Sequence, residues 1–280
     1  MTNSKTIYPP METRISGPVI AIGDIHGWCK GIKDLFNHLK QEITNFEDCW
    51  VVFLGDYVDR GPNTKKTLEF LVDLWLNRPK TTFVMGNHDL SLSTFLKIIQ
   101  EPENGGFSKH KSLLKSHHYC PEIPDQENMH LQGLRYPKYF DGESTFKSFG
   151  VEFPNNIELR KQFPESFCKF FQALPWAVEH DDYVFVHSGM DETVSYESNL
   201  IELRKRDFSI PKPTYLCDRT HWLAPKDTKK TIVSGHLYVE EIEYSENRII
   251  MDTTGGEDEY MTALLLPENI SFCLRPKKNN

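Results

Sequence analysis

Residues Val19 to Trp28 read VIAIGDIHGW. Four apolar residues run straight into Gly23-Asp24-Ile25-His26-Gly27. A short apolar run closed by glycine is the mark of a strand buried on both faces. This one ends in a carboxylate and an imidazole one residue apart, and in extended geometry Asp24 and His26 share a side of the chain. The expectation is a core strand that delivers both groups to one ligand. The same ending recurs. WVVFLGD (50–56) opens into GDYVDRG (55–61), TTFVMGNHD (81–89) ends in GNHD (86–89), and later apolar runs end in FVHSG (185–189) and VSGH (233–236).

Helical patterns separate the first three runs. Ile32, Leu35, Phe36 and Leu39 recur at helical spacing, as do Leu68, Leu71, Val72 and Trp75, and LSLSTFLKII (90–99) follows the third run. Strands alternating with helices predict an α/β fold around a largely buried sheet. Such sheets bind ligands in the crevice at the carboxyl ends of their strands, where the polar clusters fall. Residues 101–155 lack periodicity and read as an irregular insertion or cap. Helical character returns over 156–173, with Phe163, Phe167, Phe170 and Phe171 on the core face. Strands are expected at 183–186, 231–233, 248–251 and 261–266, with a hairpin turn at SENR (245–248). The division predicted is a flexible lead-in over 1–17, a single domain over 18–270 and a basic tail over 271–280.

Composition narrows the classes of function. The 280 residues carry a formal net charge of −8 and 26% charged residues. An acidic chain is not built to wrap nucleic acid, which needs a basic patch. No apolar run approaches a membrane span, and the first 18 residues lack the apolar core of a signal peptide. The six cysteines are scattered without a CxxC pair. They read as reduced thiols of a cytoplasmic protein. Cys29, close after GDIHG, lacks a basic partner and reads as structural. His110, His117 and His118, set among Lys109, Lys111 and Lys115, read as a solvated basic surface able to steer an anionic substrate.

The strand ends supply Asp24, His26, Asp56, Asn87, His187 and His236. Mixed oxygen and nitrogen donors suit manganese, iron or zinc, and not calcium. Six donors exceed one tetrahedral ion and suit two ions sharing a carboxylate. Two ions ~3.5–4 Å apart are the usual apparatus for hydrolysing phosphate esters.

The ordered set GDxHG, GDxVDRG, GNHD, a strand ending in His and a final GH resembles the calcineurin-like metallophosphoesterase superfamily. GDYVDRG resembles the branch that holds the phosphoprotein (Ser/Thr) phosphatases and the symmetrical diadenosine tetraphosphatases. IIMDTTGG (249–256) and MTALLLP (261–267) are similar to strands that close the sheet in compact bacterial-type members, so the resemblance runs from Val19 to Leu266. It implies a four-layer αββα sandwich of two mixed sheets flanked by helices. It also implies that Asp24 and His26 hold the first metal, that Asp56 bridges both, and that Asn87, His187 and His236 hold the second. Arg60 would grip a phosphate oxygen, and His88, oriented by Asp59, would be the proton donor. A second phosphate-binding arginine is expected between His187 and His236. Arg219 in CDRTHW, beside Trp222, is preferred to Arg204 or Arg206 in LRKRDF.

Two departures stand out. MGNHD places Met85 and Asp89 where the phosphoprotein phosphatases read RGNHE. GHLY places Tyr238 where distant relatives carry a second His. The activity implied is hydrolysis of phosphomonoesters, phosphoserine or phosphothreonine in proteins foremost, by direct attack of a hydroxide bridging two divalent metals. The alternative is a symmetrical dinucleoside polyphosphate hydrolase. A non-catalytic scaffold for phosphorylated partners is disfavoured, because every inferred ligand and His88 are present.

Overall fold

The apolar runs become strands of two sheets. A computed structural model describes residues 7–99, 136, 139–208, 214–220 and 223–274. The first sheet holds β1 (Val19–Ile22), β2 (Trp50–Phe53), β3 (Thr81–Phe83), β9 (Thr262–Leu266) and β10 (Ile270–Cys273), in the order β10-β9-β1-β2-β3. The second holds β4 (Ala177–Glu179), β5 (Tyr183–Val186), β6 (Thr231–Tyr238), β7 (Glu243–Ser245) and β8 (Arg248–Asp252), in the order β4-β5-β6-β8-β7. Both are mixed. β1, β2 and β3 run parallel, with β9 and β10 antiparallel beside them. β5, β6 and β8 run parallel between antiparallel β4 and β7.

Strand periodicity sorts the side chains into layers. Val19, Ala21, Val52, Leu264 and Leu266 of the first sheet meet Val178, Phe185, Val233, Ile249 and Met251 of the second. The alternate residues Ile20, Ile22 and Phe53 face outward, in one cluster with Leu35 and Leu39 of helix α1 (Cys29–Glu42) and Leu71 and Trp75 of helix α2 (Thr64–Asn77). Val184, Val186 and Ile232 belong to that cluster with Leu200 and Leu203 of the helix Tyr196–Lys205. The result is two sheets face to face, flanked by helices. Each fully buried aliphatic side chain contributes ~1.5–3 kcal/mol.

Several boundaries differ from the sequence reading. β3 stops at Phe83, and GNHD is the start of helix α3 (Asn87–Phe95) rather than a strand end. The bare N–H groups of a helix start need acceptors, and the Asp89 carboxylate takes the Gly86 N–H at 2.9 Å. The helical stretch 156–173 is two helices, Asn156–Gln162 and Glu165–Ala173, because Pro164 lacks a donor and forces Phe163 into extended geometry. Within the region read as irregular, Glu143–Ser148 is helical, while residues 101–135 with His110, His117 and His118 lie outside the described residues. The lead-in assigned to 1–17 is packed in part. Ile15 N–H donates to the Glu179 carbonyl at 2.9 Å, Glu179 N–H donates to the Thr13 carbonyl at 2.8 Å, and Met11 and Ile15 are buried. This segment covers the open backbone edge of β4, as sheet edges require. β10 (Ile270–Cys273) takes in the first three residues of the tail assigned to 271–280. No helix among the described residues is long and apolar enough to cross a membrane.

Candidate active site

The turns after β1 and β2 interlock before any side chain is considered. Ile25 and His26 N–H both donate to the Asp56 carbonyl, at 3.1 and 2.8 Å, and Gly27 N–H donates to the Tyr57 carbonyl at 3.0 Å. Gly61 N–H returns to the His26 carbonyl at 2.8 Å. Five site residues have left-handed backbone: His26 (φ 46°), Asp56 (52°), Asp59 (72°), Arg60 (61°) and His236 (63°). Such conformations cost ~1–3 kcal/mol each and persist where surrounding structure over-determines them. They also correct the extended geometry expected for Asp24-Ile25-His26. β1 ends at Ile22, and the left-handed turn at His26, not strand alternation, brings its Nε2 to 4.0 Å from Asp24 Oδ2.

Asp56 is the centre of the arrangement. Its Oδ2 lies 3.5 Å from His26 Nε2 and 3.9 Å from His88 Nε2, and its Oδ1 lies 3.4 Å from His187 Nε2. Two sets of donor atoms, each within 4.8 Å of one another, share this carboxylate: His26, Asp56 and His88, and Asp56, His187 and His236. Asn87 Oδ1 joins the second set, 2.9 Å from His187 Nε2. All are buried. The backbone of Asp56 is fixed by Asp89, whose oxygens accept the Asp56 and Tyr57 N–H groups at 2.9 Å each. The Asp56 carboxylate in turn accepts the His88 N–H at 3.0 Å, at the positive end of α3. Asp89 thus needs a short carboxylate reach, which gives the departure from RGNHE a structural task.

The protonation pattern fits cations. His26 Nδ1 faces the Val58 carbonyl at 2.9 Å and His187 Nδ1 faces the Leu54 carbonyl at 2.7 Å. A carbonyl only accepts, so both Nδ1 atoms carry protons and both Nε2 lone pairs point inward. Burial pushes His26, His187 and His236 below the ordinary imidazole range, keeping them neutral as metal ligands must be. His236 Nε2 is buried and has no hydrogen-bond partner among the described residues. Burial, with Asp252 and Asp56 close by, raises the Asp24 carboxyl well above its usual range. Burial also works to raise Asp56, and His187 with three further imidazoles more than offsets it, holding that carboxyl low. Crowded acids, inward lone pairs and an orphaned imidazole nitrogen together fit a pair of divalent ions.

The remaining expected residues surround this centre. His88 Nδ1 lies 2.8 Å from Asp59 Oδ2. Arg60 Nη1 donates to the Gly255 carbonyl. Arg60 and Arg219 line the same cleft of about 620 Å³ as Asp24, Asp56 and His236, with Trp28 and Tyr238 in its wall. The rival arginines are engaged elsewhere. Arg204 pairs with Glu179 at 2.8 Å and Glu197 at 3.1 Å, and Arg206 donates to the Gln172 carbonyl at 3.0 Å. Trp222, on which the preference for Arg219 rested, lies outside the described residues.

The sequence reading gave no site role to Asp89, Asp252, Tyr136, Thr145 or Arg248. Asp252 caps the loop behind Arg60, accepting from Gly255 N–H at 2.9 Å. Arg248 is fully buried and ties together the two histidine turns. Its Nη2 donates to the Ser188 carbonyl at 2.8 Å and to Ser234 Oγ at 2.7 Å. Asp252 ends an apolar run in IIMDTTGG, a signal of the same kind as the other strand ends. An arginine opening a strand carries no such signal.

The profile of the calcineurin-like phosphoesterase family matches residues 17–260. Over 77 residues the chain is 38% identical to a protein phosphatase 2A catalytic subunit of Dictyostelium discoideum, covering 27% of this chain and 23% of that one. Over 87 residues it is 34% identical to the symmetrical bis(5'-nucleosyl)-tetraphosphatase of Ectopseudomonas mendocina, covering 31% and 30%. These alignments span less than a third of the curated relatives. A serine/threonine phosphatase structure from Saccharomyces cerevisiae superposes with a TM-score of 0.54 over 97% of this chain and 85% of that one, at 14% identity, a likeness of fold. With a profile match across most of its length laid over two donor sets that share Asp56, the chain belongs to the calcineurin-like phosphoesterase family.

Proposed function

We propose that the protein is a metal-dependent phosphoester hydrolase acting on phosphomonoesters, phosphoserine or phosphothreonine in proteins foremost, with residues 18–270 as one catalytic domain. The observation that carries this reading is the single carboxylate, Asp56, shared by two buried sets of donor atoms. Asp24 and His26 would hold one ion, Asn87, His187 and His236 the other, and Asp56 would serve both. Manganese is the leading choice, with iron or zinc as alternatives of the same donor chemistry. Such a pair supplies Lewis acidity toward phosphoryl oxygens and lowers the pKa of water toward neutrality.

The chain's own residues do the rest. Arg60 and Arg219 face the cleft as a two-pronged grip on non-bridging phosphate oxygens. His88 Nε2 gives a proton to the leaving oxygen, and the Asp59 carboxylate accepts the Nδ1–H and so fixes the direction in which Nε2 points. Asp141 and Glu257 also line the cleft. Their charge tolerates a single phosphate on a peptide better than a chain of four, which supports the phosphoprotein reading. Trp28 and Tyr238 favour the second reading, a symmetrical dinucleoside polyphosphate hydrolase, because each offers an aromatic face to a base. Cysteines scattered along the sequence without a CxxC pair accord with a cytoplasmic setting.

A paired assay separates the readings. Metal-stripped protein is reloaded with manganese and given a phosphothreonine peptide in one arm and diadenosine tetraphosphate in the other. Faster peptide turnover is the expected outcome. Faster nucleotide cleavage transfers the protein to the second reading, and no turnover in either arm with metal bound refutes the hydrolase assignment.

A further inference from the structure

We infer that Tyr136 and Thr145 are positioning residues for the proton donor, holding Asp59 so that one of its oxygens is reserved for His88. This rests on His88 being the donor proposed above.

Asp59 has no exposed surface. Its Oδ1 accepts from the Tyr136 hydroxyl and from Thr145 Oγ1, the latter at 2.6 Å. Its Oδ2 faces His88 Nδ1 at 2.8 Å. The proton inventory is closed. Thr145 has one hydroxyl proton, which goes to Asp59, while its oxygen accepts the Asp59 N–H at 3.0 Å and lies 3.1 Å from Thr64 Oγ1. Tyr136 is buried, and burial together with the Asp59 charge pushes its phenol well above the ordinary range, so it stays a donor. A carboxylate with both oxygens occupied from opposite sides cannot rotate about its terminal bond without breaking charge-assisted hydrogen bonds.

The imidazole is confined as well. Phe140 meets the His88 ring edge-on at 4.9 Å, and His26 meets it edge-on at 4.6 Å. Tyr136, Phe140 and Thr145 all come from the stretch that sequence alone leaves as an irregular cap. Part of that stretch is therefore the back wall of the acid, a task separate from shaping the pocket mouth.

The consequence is a dependence on leaving group. Each turnover cleaves a phosphorus–oxygen bond with water. The leaving oxygen takes the proton of His88 Nε2, and the imidazole regains the one that water releases. A serine or threonine alkoxide is strongly basic and needs that proton as the bond breaks. A nitrophenolate leaves without it. Loosening Asp59 thus penalises alkyl phosphates selectively, whereas a general loss of packing penalises both substrates together.

The experiment compares kcat on a phosphothreonine peptide with kcat on p-nitrophenyl phosphate, using manganese-loaded full-length protein. His88→Asn is expected to lower the peptide-to-aryl ratio ~100-fold, within the range of general acid catalysis. Thr145→Val and Tyr136→Phe are each expected to lower it ~10-fold with little change in KM, and Thr145→Ser to restore it. Tyr136→Phe deletes only one oxygen, which keeps the test open if Thr145→Val fails to fold. Equal losses on both substrates in Thr145→Val and Tyr136→Phe, alongside selective loss in His88→Asn, overturn the positioning role alone. An unselective His88→Asn overturns the donor assignment on which it rests.

Discussion

Gly235 offers a test of how tightly the centre is built. A Cβ at this position would stand 2.0 Å from Asp24 Oδ1 and 3.2 Å from its Cγ, with Leu54 Cβ next at 3.7 Å. Real Cβ atoms keep at least 3.0 Å, so in Gly235→Ala the carboxylate must retreat by about 1 Å. The backbone is not at issue, since Gly235 does not have positive φ. What moves is the end of a side chain whose oxygens both lie 3.2 Å from the His236 N–H. Overpacking of this kind costs ~1–3 kcal/mol. In a chain of this length that lowers Tm by ~2–6 °C. The functional cost is larger, because a ligand displaced by ~1 Å lies beyond the ~0.5 Å tolerance of a preorganised site. Manganese affinity is expected to fall at least ~10-fold. Calorimetric melting of the metal-stripped variant measures the first quantity, and titration with manganese measures the second. A Gly235→Ala protein that melts a few degrees lower yet binds manganese as tightly as the wild type refutes the placement of Asp24 as a ligand.

Other substitutions probe separate parts of the molecule. Arg219→Ala is expected to raise KM for a phosphorylated substrate ~10-fold or more, whereas Arg204→Ala leaves KM where it was; steady-state kinetics on both variants decide between them. Arg204 instead stabilises the fold through Glu179, whose carboxyl its hydrogen bonds hold below the ordinary glutamate range. A depressed acid contributes stability above its unfolded value, ~4.3, and loses it as pH falls through the folded value. Arg204→Ala should therefore melt lower than wild type at pH 7 by less than ~1 kcal/mol, and the gap should close in acid. Arg248→Met takes from the Ser188 carbonyl and from Ser234 Oγ the donor that Arg248 supplies to each. It is expected to cost ~2–3 kcal/mol in denaturant unfolding, a penalty set by buried acceptors that lose a donor.

Much of this site could be read from sequence because its residues end apolar runs. Asp24, Asp56 and His187 follow buried strands and His236 lies within one, β6, past the apolar start of that strand, and the GDYVDRG and GNHD spacings fix the order. The local geometry could not be read. Nothing in Asp-Ile-His announces that His26 turns left-handed, since that conformation is imposed by two N–H groups converging on the Asp56 carbonyl. Nor could the start of α3 at Asn87, because the acceptor that stabilises it, Asp89, lies inside the motif and looks like one more ligand. β4 spans three residues and β10 carries a mostly exposed pattern, too little for either period to register. The Tyr136–Asp59 contact joins positions 77 residues apart, and no local pattern encodes it.

The central claim is that Asp56 serves two ions at once. The direct measurement is metal content and affinity of stripped protein reloaded with manganese, wild type against Asp56→Asn, by elemental analysis after gel filtration and by calorimetric titration. Two ions per chain in the wild type, and loss of high affinity for both in Asp56→Asn without loss of the folded state, is the result predicted. One ion in the wild type, or a variant that still holds two, contradicts it.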